Sequence, residues 1–165
     1  RSSRTILVVR ECPEEFLCRF PRWEDVQSTT MSTEPRRIAL HGTPDTSAAC
    51  FTPDGLWILT GSVKGVIRLV NGQDGRLVHD LPCQIGASMI REIVLDEQSR
   101  HVAVNMNDRT VRTLRVTYND GCEMPTGLTP THKFQDLVSR TPWSGIGFTR
   151  GAEYVIRCAA QHPVT

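Results

Sequence analysis

The sequence predicts an all-β chain built from repeated small sheets, and three observations carry that prediction. Helical periodicity is nearly absent, short β-branched runs alternate with Gly, Pro, Asn and Asp, and one two-strand pattern recurs three times. The pattern is Phe51-Thr-Pro-Asp-Gly-Leu-Trp-Ile-Leu-Thr-Gly61, matched by Leu95-Asp-Glu-Gln-Ser-Arg-His-Val-Ala-Val-Asn105 and by Phe148-Thr-Arg-Gly-Ala-Glu-Tyr-Val-Ile-Arg-Cys158. Each copy has an apolar strand end, a tight polar turn and a second apolar strand.

In chain order the expected strands are 5–9, 16–20, 37–40, 47–51, 57–60, 66–70, 77–81, 89–95, 101–105, 110–116, 133–138, 143–148 and 153–157. The repeats start at Phe51, Leu95 and Phe148, 44 and 53 residues apart. The first step fits the period of roughly 40–45 residues of a WD40 blade. The second is longer because 117–131, rich in Gly, Pro and Thr, is expected as a loop insertion.

Within one unit, Val70-Asn71 stands where Trp-Asp commonly ends the third strand, and Gly75-Arg76 opens the turn into the outer strand. In the next unit, Asn107-Asp108-Arg109-Thr110 reads as the turn between second and third strands. The Asp108 carboxylate there can accept backbone N–H bonds and hold that turn. A β-sandwich also has short strands and frequent turns, but three matching two-strand units in register favour a WD40-type β-propeller. The strands supply about three blades of a parent of about seven, since natural propellers have roughly 4–8 four-stranded blades. Residues 1–165 are thus expected to be a partial propeller. An arc alone leaves unpaired edges, so the missing blades are expected outside the chain, which opens on Arg and not on Met.

Composition bounds the function. Nineteen basic and eighteen acidic residues give a net charge of +1, so affinity for nucleic acid must come from local clustering. No apolar run reaches membrane-spanning length. Cys12, Cys18, Cys50, Cys83, Cys122 and Cys158 show no C-x-x-C spacing and fit a reducing compartment. Cys50 and Cys158 fall in apolar strand patterns and are expected as small buried hydrophobes. His41, His79, His101, His132 and His162 form no metal pair, and no G-x-S-x-G, phosphate-binding Gly loop or H-E-x-x-H occurs. No enzyme, cofactor or small-molecule substrate is expected.

The segment Thr131-His-Lys-Phe-Gln-Asp-Leu-Val-Ser-Arg-Thr-Pro-Trp143 is not a generic blade feature. Together with Gly147-Phe148, Glu153–Ile156, Thr60-Gly61, Lys64-Gly65, Asn105, Asp108, Arg109 and Arg112, it resembles the WD40 subunit of the COMPASS (SET/MLL) histone methyltransferase assembly. That family includes retinoblastoma-binding protein five and the yeast Swd-type subunits. The resemblance spans roughly 5–161 and is loose before Ala39. It implies a nuclear, non-catalytic scaffold that joins a SET-domain methyltransferase subunit and associated core subunits acting on histone H3 lysine 4. A generic WD40 adaptor of another nuclear or cytosolic complex is the alternative, because fold does not fix function.

In a propeller, turns between second and third strands share a face with the connections between blades. Lys64 and Arg109 sit in such turns and Arg140 in such a connection, and all three match the family pattern. The resemblance implies a nucleosome-facing rim that meets DNA phosphates without reading bases. Solvated turn tips are the plain alternative for these residues. Trp57 and Trp143 each start a strand and are expected to pack between blades. Trp143 follows Pro142, whose missing N–H suits a strand start.

Overall fold

The computed structural model describes residues 6–11, 14–19, 36–43, 45–118, 124–135 and 143–159. These form thirteen β-strands in four antiparallel sheets. The first sheet holds β1 (Ile6–Glu11), β2 (Glu14–Arg19) and β3 (Arg36–Ala39) in that order. The second is a four-stranded meander of β4 (Thr46–Phe51), β5 (Trp57–Ser62), β6 (Val66–Asn71) and β7 (Leu77–Gln84). The third repeats it with β8 (Ile90–Leu95), β9 (His101–Met106), β10 (Thr110–Tyr118) and β11 (Pro125–Gln135). The fourth pairs β12 (Trp143–Phe148) with β13 (Val155–Ala159). Two complete blades therefore stand between two partial ones, which is the partial propeller expected from the repeats.

Side chains alternate across a strand, and here both faces of a blade are buried. In β5 the adjacent Ile58 and Leu59 are both 0% exposed, yet Ile58 joins a cluster with Ile38, Phe51 and Val70, while Leu59 joins the main core. In β6, Leu69 and Val70 divide the same way. The main core runs between the two complete blades, from Leu59, Ile67, Leu69 and Leu81 to Ile90, Ile93, Val104, Met106 and Leu114. Each such side chain stabilises the fold by about 1.5–3 kcal/mol, and the seam between blades collects many of them. Gly61 is part of that fit: a Cβ on it would meet Ile90 Cγ2 at 2.6 Å.

Two expectations need correction. Among the described residues of the segment 117–131, all but Met124 are strand and not loop: β10 runs to Tyr118, and β11 starts at Pro125 and ends at Gln135, where a strand over 133–138 was expected. Pro125, Gly127 and Pro130 read as breakers, but β11 is the edge of its sheet, where a missing N–H costs no ladder bond. A register shift leaves Thr131 between Pro130, which faces Leu114, and His132, which faces Thr113. The Thr131 hydroxyl donates to Thr113 O at 3.0 Å and closes that irregularity. Cys158 is exposed, because β13 is the outer strand of a two-stranded sheet, whereas Cys50 is half-buried in β4 and its thiol is pushed up by burial.

Candidate interaction face

One face of the arc is a continuous hydrogen-bonded rim. The turn between β5 and β6 is tied to the connection before it by Val63 N–H donating to Asp45 O at 3.0 Å. It is tied to the connection after it by Ile85 N–H donating to Gly65 O at 3.2 Å. That connection meets the next turn through Asn107 N–H and Met89 O at 2.8 Å. The rim then crosses to the fourth sheet, where Trp143 Nε1 donates to Arg109 O at 2.9 Å. The turns between β4 and β5 and between β6 and β7 meet each other at the opposite end of their blade, Gly72 N–H donating to Leu56 O at 2.8 Å.

Lys64 and Arg109 both lie on this rim, but at different turn positions. Lys64 is the second turn residue and exposed, with Nζ 3.9 Å from Asp45 Oδ2, an exposed pair of small energetic weight. Arg109 is the third, half-buried and at φ +65°, the position Gly65 holds at φ +77° in the preceding blade. A side chain cannot stand at Gly65, since its Cβ would overlap the Gly86 carbonyl oxygen. At Arg109 the turn is open enough for a side chain, at a backbone cost of about 1–2 kcal/mol. Arg140 lies outside the described residues.

Asp108 Oδ1 accepts Thr110 N–H at 3.0 Å and the Thr110 hydroxyl at 2.6 Å. In the preceding blade Ser62 Oγ accepts Lys64 N–H at 3.2 Å and Val66 N–H at 3.1 Å, so a different side chain fixes the same turn. Trp57 is half-buried against the main core. Trp143 is 5% exposed; its carbonyl accepts the Asn105 amide at 3.3 Å, and the Arg157 guanidinium carbon lies 3.6 Å from its ring centre. The opposite end of the two complete blades carries a shallow cavity of about 400 Å³, lined by Thr52–Asp54, Glu97–Arg100 and Tyr118.

Sequence reasoning missed the polar clips across the seams. Ser47 Oγ of β4 donates to Ile90 O of β8 at 2.6 Å, and Glu92 of β8 accepts Ile146 N–H of β12 at 3.0 Å. The only signal was a Glu inside the apolar run Ile90–Leu95 and a Ser inside β4. Burial pushes the Glu92 carboxyl above the ordinary glutamate value, partly opposed by the bonds from Ile146 and the Asn105 side chain. A carboxyl raised on folding favours the folded state below its unfolded value, and that contribution is lost as pH rises through the folded one. Glu92→Gln, which keeps an acceptor for Ile146, is therefore expected to flatten the fall in stability in the window opening at 4.5. It is also expected to raise the thermal midpoint at neutral pH relative to wild type. Parallel melting curves from pH 4 to pH 8 for both proteins would contradict this reading.

No family model matches the chain. It is 29% identical over 116 residues to the Set1 complex component swd1 of Schizosaccharomyces pombe, covering 70% of this chain and 27% of that protein. It is 30% identical over 103 residues to the COMPASS component SWD1 of Saccharomyces cerevisiae, covering 60% and 24%. It is 26% identical over 144 residues to Protein RBL of Arabidopsis thaliana, covering 72% and 26%. The chain thus spans about a quarter of the length of these relatives. The crystal structure of the Myceliophteria thermophila Cps50 (Swd1) β-propeller domain superposes with a TM-score of 0.70 at 24% identity, covering 94% of this chain and 49% of that one. The fold and the relatives agree: the chain is part of a WD40-type β-propeller and is similar to Swd1-type proteins.

Proposed function

We propose that the chain forms part of a non-catalytic scaffold subunit of a nuclear histone H3 lysine-4 methyltransferase complex. The observation that carries this reading is its similarity to two yeast proteins named as Set1 complex and COMPASS components. The partners are a SET-domain subunit and associated core subunits, and the rim carrying Lys64 and Arg109 meets nucleosomal DNA, joined by Arg140, which the sequence assigns to a connection between blades. Lys64 is exposed and, among the described residues, held by a weak surface pair, and Arg109 stands in a turn whose backbone is fixed by Met106 and Trp143, so both cations sit on a rigid frame. Cations so placed engage phosphates without reading sequence.

The test is nucleosome binding by the full-length protein against salt. Reversing all three charges (Lys64→Glu, Arg109→Glu, Arg140→Glu) is expected to reduce the slope of log K on log salt by about 2–3, nearly one for each phosphate no longer neutralised. An unchanged affinity and slope would remove the rim from the interface.

A further inference from the structure

We propose a second binding point, at the seam between the two complete blades, where Arg112 and Lys133 form a receptor for the carboxylates of an acidic segment on a partner protein. Arg112 on β10 and Lys133 on β11 are register partners, so two cations face each other on one side of the hairpin. Directly opposed like charges destabilise a sheet, and nothing among the described residues offsets them. Among those residues, neither cation has a carboxylate within ion-pair distance. Arg112 is half-buried, and its Nε is fully buried with no hydrogen-bond partner. A partly desolvated guanidinium without a counter-charge is costly to keep, and an anion brought beside it offsets part of that cost.

The surroundings favour a carboxylate over a duplex phosphate. A Cβ on Gly86 would lie 3.6 Å from Arg112 Nη2 and 2.9 Å from Met106 Cε, which places the guanidinium in a recess against the connection between the blades. A Glu or Asp on a flexible stem can enter such a recess and make a paired fork contact, whereas the phosphates of a duplex sit on a stiff convex surface. Lys133, exposed at the mouth, supplies a second charge. The recess is set by the blade geometry alone and does not depend on the chromatin reading.

The test is fluorescence anisotropy with the full chain, using a labelled Glu-Gly repeat peptide and, separately, a labelled DNA duplex at the same ionic strength. Arg112→Gln is expected to weaken the peptide about tenfold, as for loss of a hydrogen-bonded charge pair. Lys133→Gln is expected to weaken it about threefold, as for an exposed pair. Arg112→Lys is expected not to restore binding, since the ammonium lacks the planar fork. Phe134→Ser, on the other face of β11, serves as the control and should leave binding unchanged. If Arg112→Gln disturbs the fold, as judged by its thermal midpoint, Lys133→Gln decides alone. No peptide binding, unchanged binding in both glutamine variants, or a larger loss for the duplex than for the peptide would each overturn the proposal.

Discussion

Trp143→Ala is expected to destabilise the protein by about 3–5 kcal/mol, the range for truncating a large buried aromatic. Trp143 is 5% exposed and joins the fourth sheet to the third through its ring, its carbonyl and its indole N–H. Without it, Asn105 and the Arg109 carbonyl lose partners and the Arg157 guanidinium loses the ring beneath it. The loss should be local. Hydrogen exchange should rise first in β12 and β13 and only later in the main core, whose residues lie between the other two blades. Trp143→Phe, which keeps a ring but no donor, should cost less, with about 1 kcal/mol of its penalty from the missing hydrogen bond. Exchange rising uniformly across all sheets would contradict a local seam.

The second large effect is at Gly65. Its φ of +77° and the Gly86 carbonyl, which sits well inside van der Waals distance of where a Cβ would stand, exclude any side chain. Gly65→Ala is expected to cost about 2–4 kcal/mol, the sum of a left-handed backbone penalty and overpacking against backbone that cannot turn aside. Urea denaturation reads this directly. The equivalent change in the next blade provides the control: Arg109→Gly, at φ +65°, should be neutral or stabilise slightly, because it relieves the same penalty. Divergent behaviour at two equivalent turn positions follows from one structural difference. Gly65 is pressed against the Gly86 carbonyl of the connection that follows its turn, whereas Arg109 carries a side chain at the equivalent position.

The sheets were legible because a two-strand repeat needs only local pattern, and Phe51, Leu95 and Phe148 each end an apolar strand before a tight turn. The long hairpin of β10 and β11 was not, because Pro and Gly signal a break unless the strand is known to be an edge. Edge status depends on sheet order, which no local pattern carries. The two rim residues Lys64 and Arg109 were legible as turn residues, while their different turn positions were not, since they depend on how closely a neighbouring connection approaches. The seam clips were the least legible. Ser47 and Glu92 look like solvent-facing residues in half-buried strands, and only the placement of the next blade gives them a backbone carbonyl and N–H to bind.

Such seams make each blade a platform for its neighbours, in keeping with the scaffold role proposed above. The most direct measurement of that role is affinity purification of the tagged full-length protein from nuclear extract, followed by mass spectrometry. A SET-domain methyltransferase subunit and its core partners should be recovered in near-stoichiometric amounts. Recovery of a different stable complex, with no SET-domain subunit in it, would contradict the account and favour an adaptor that shares only the fold.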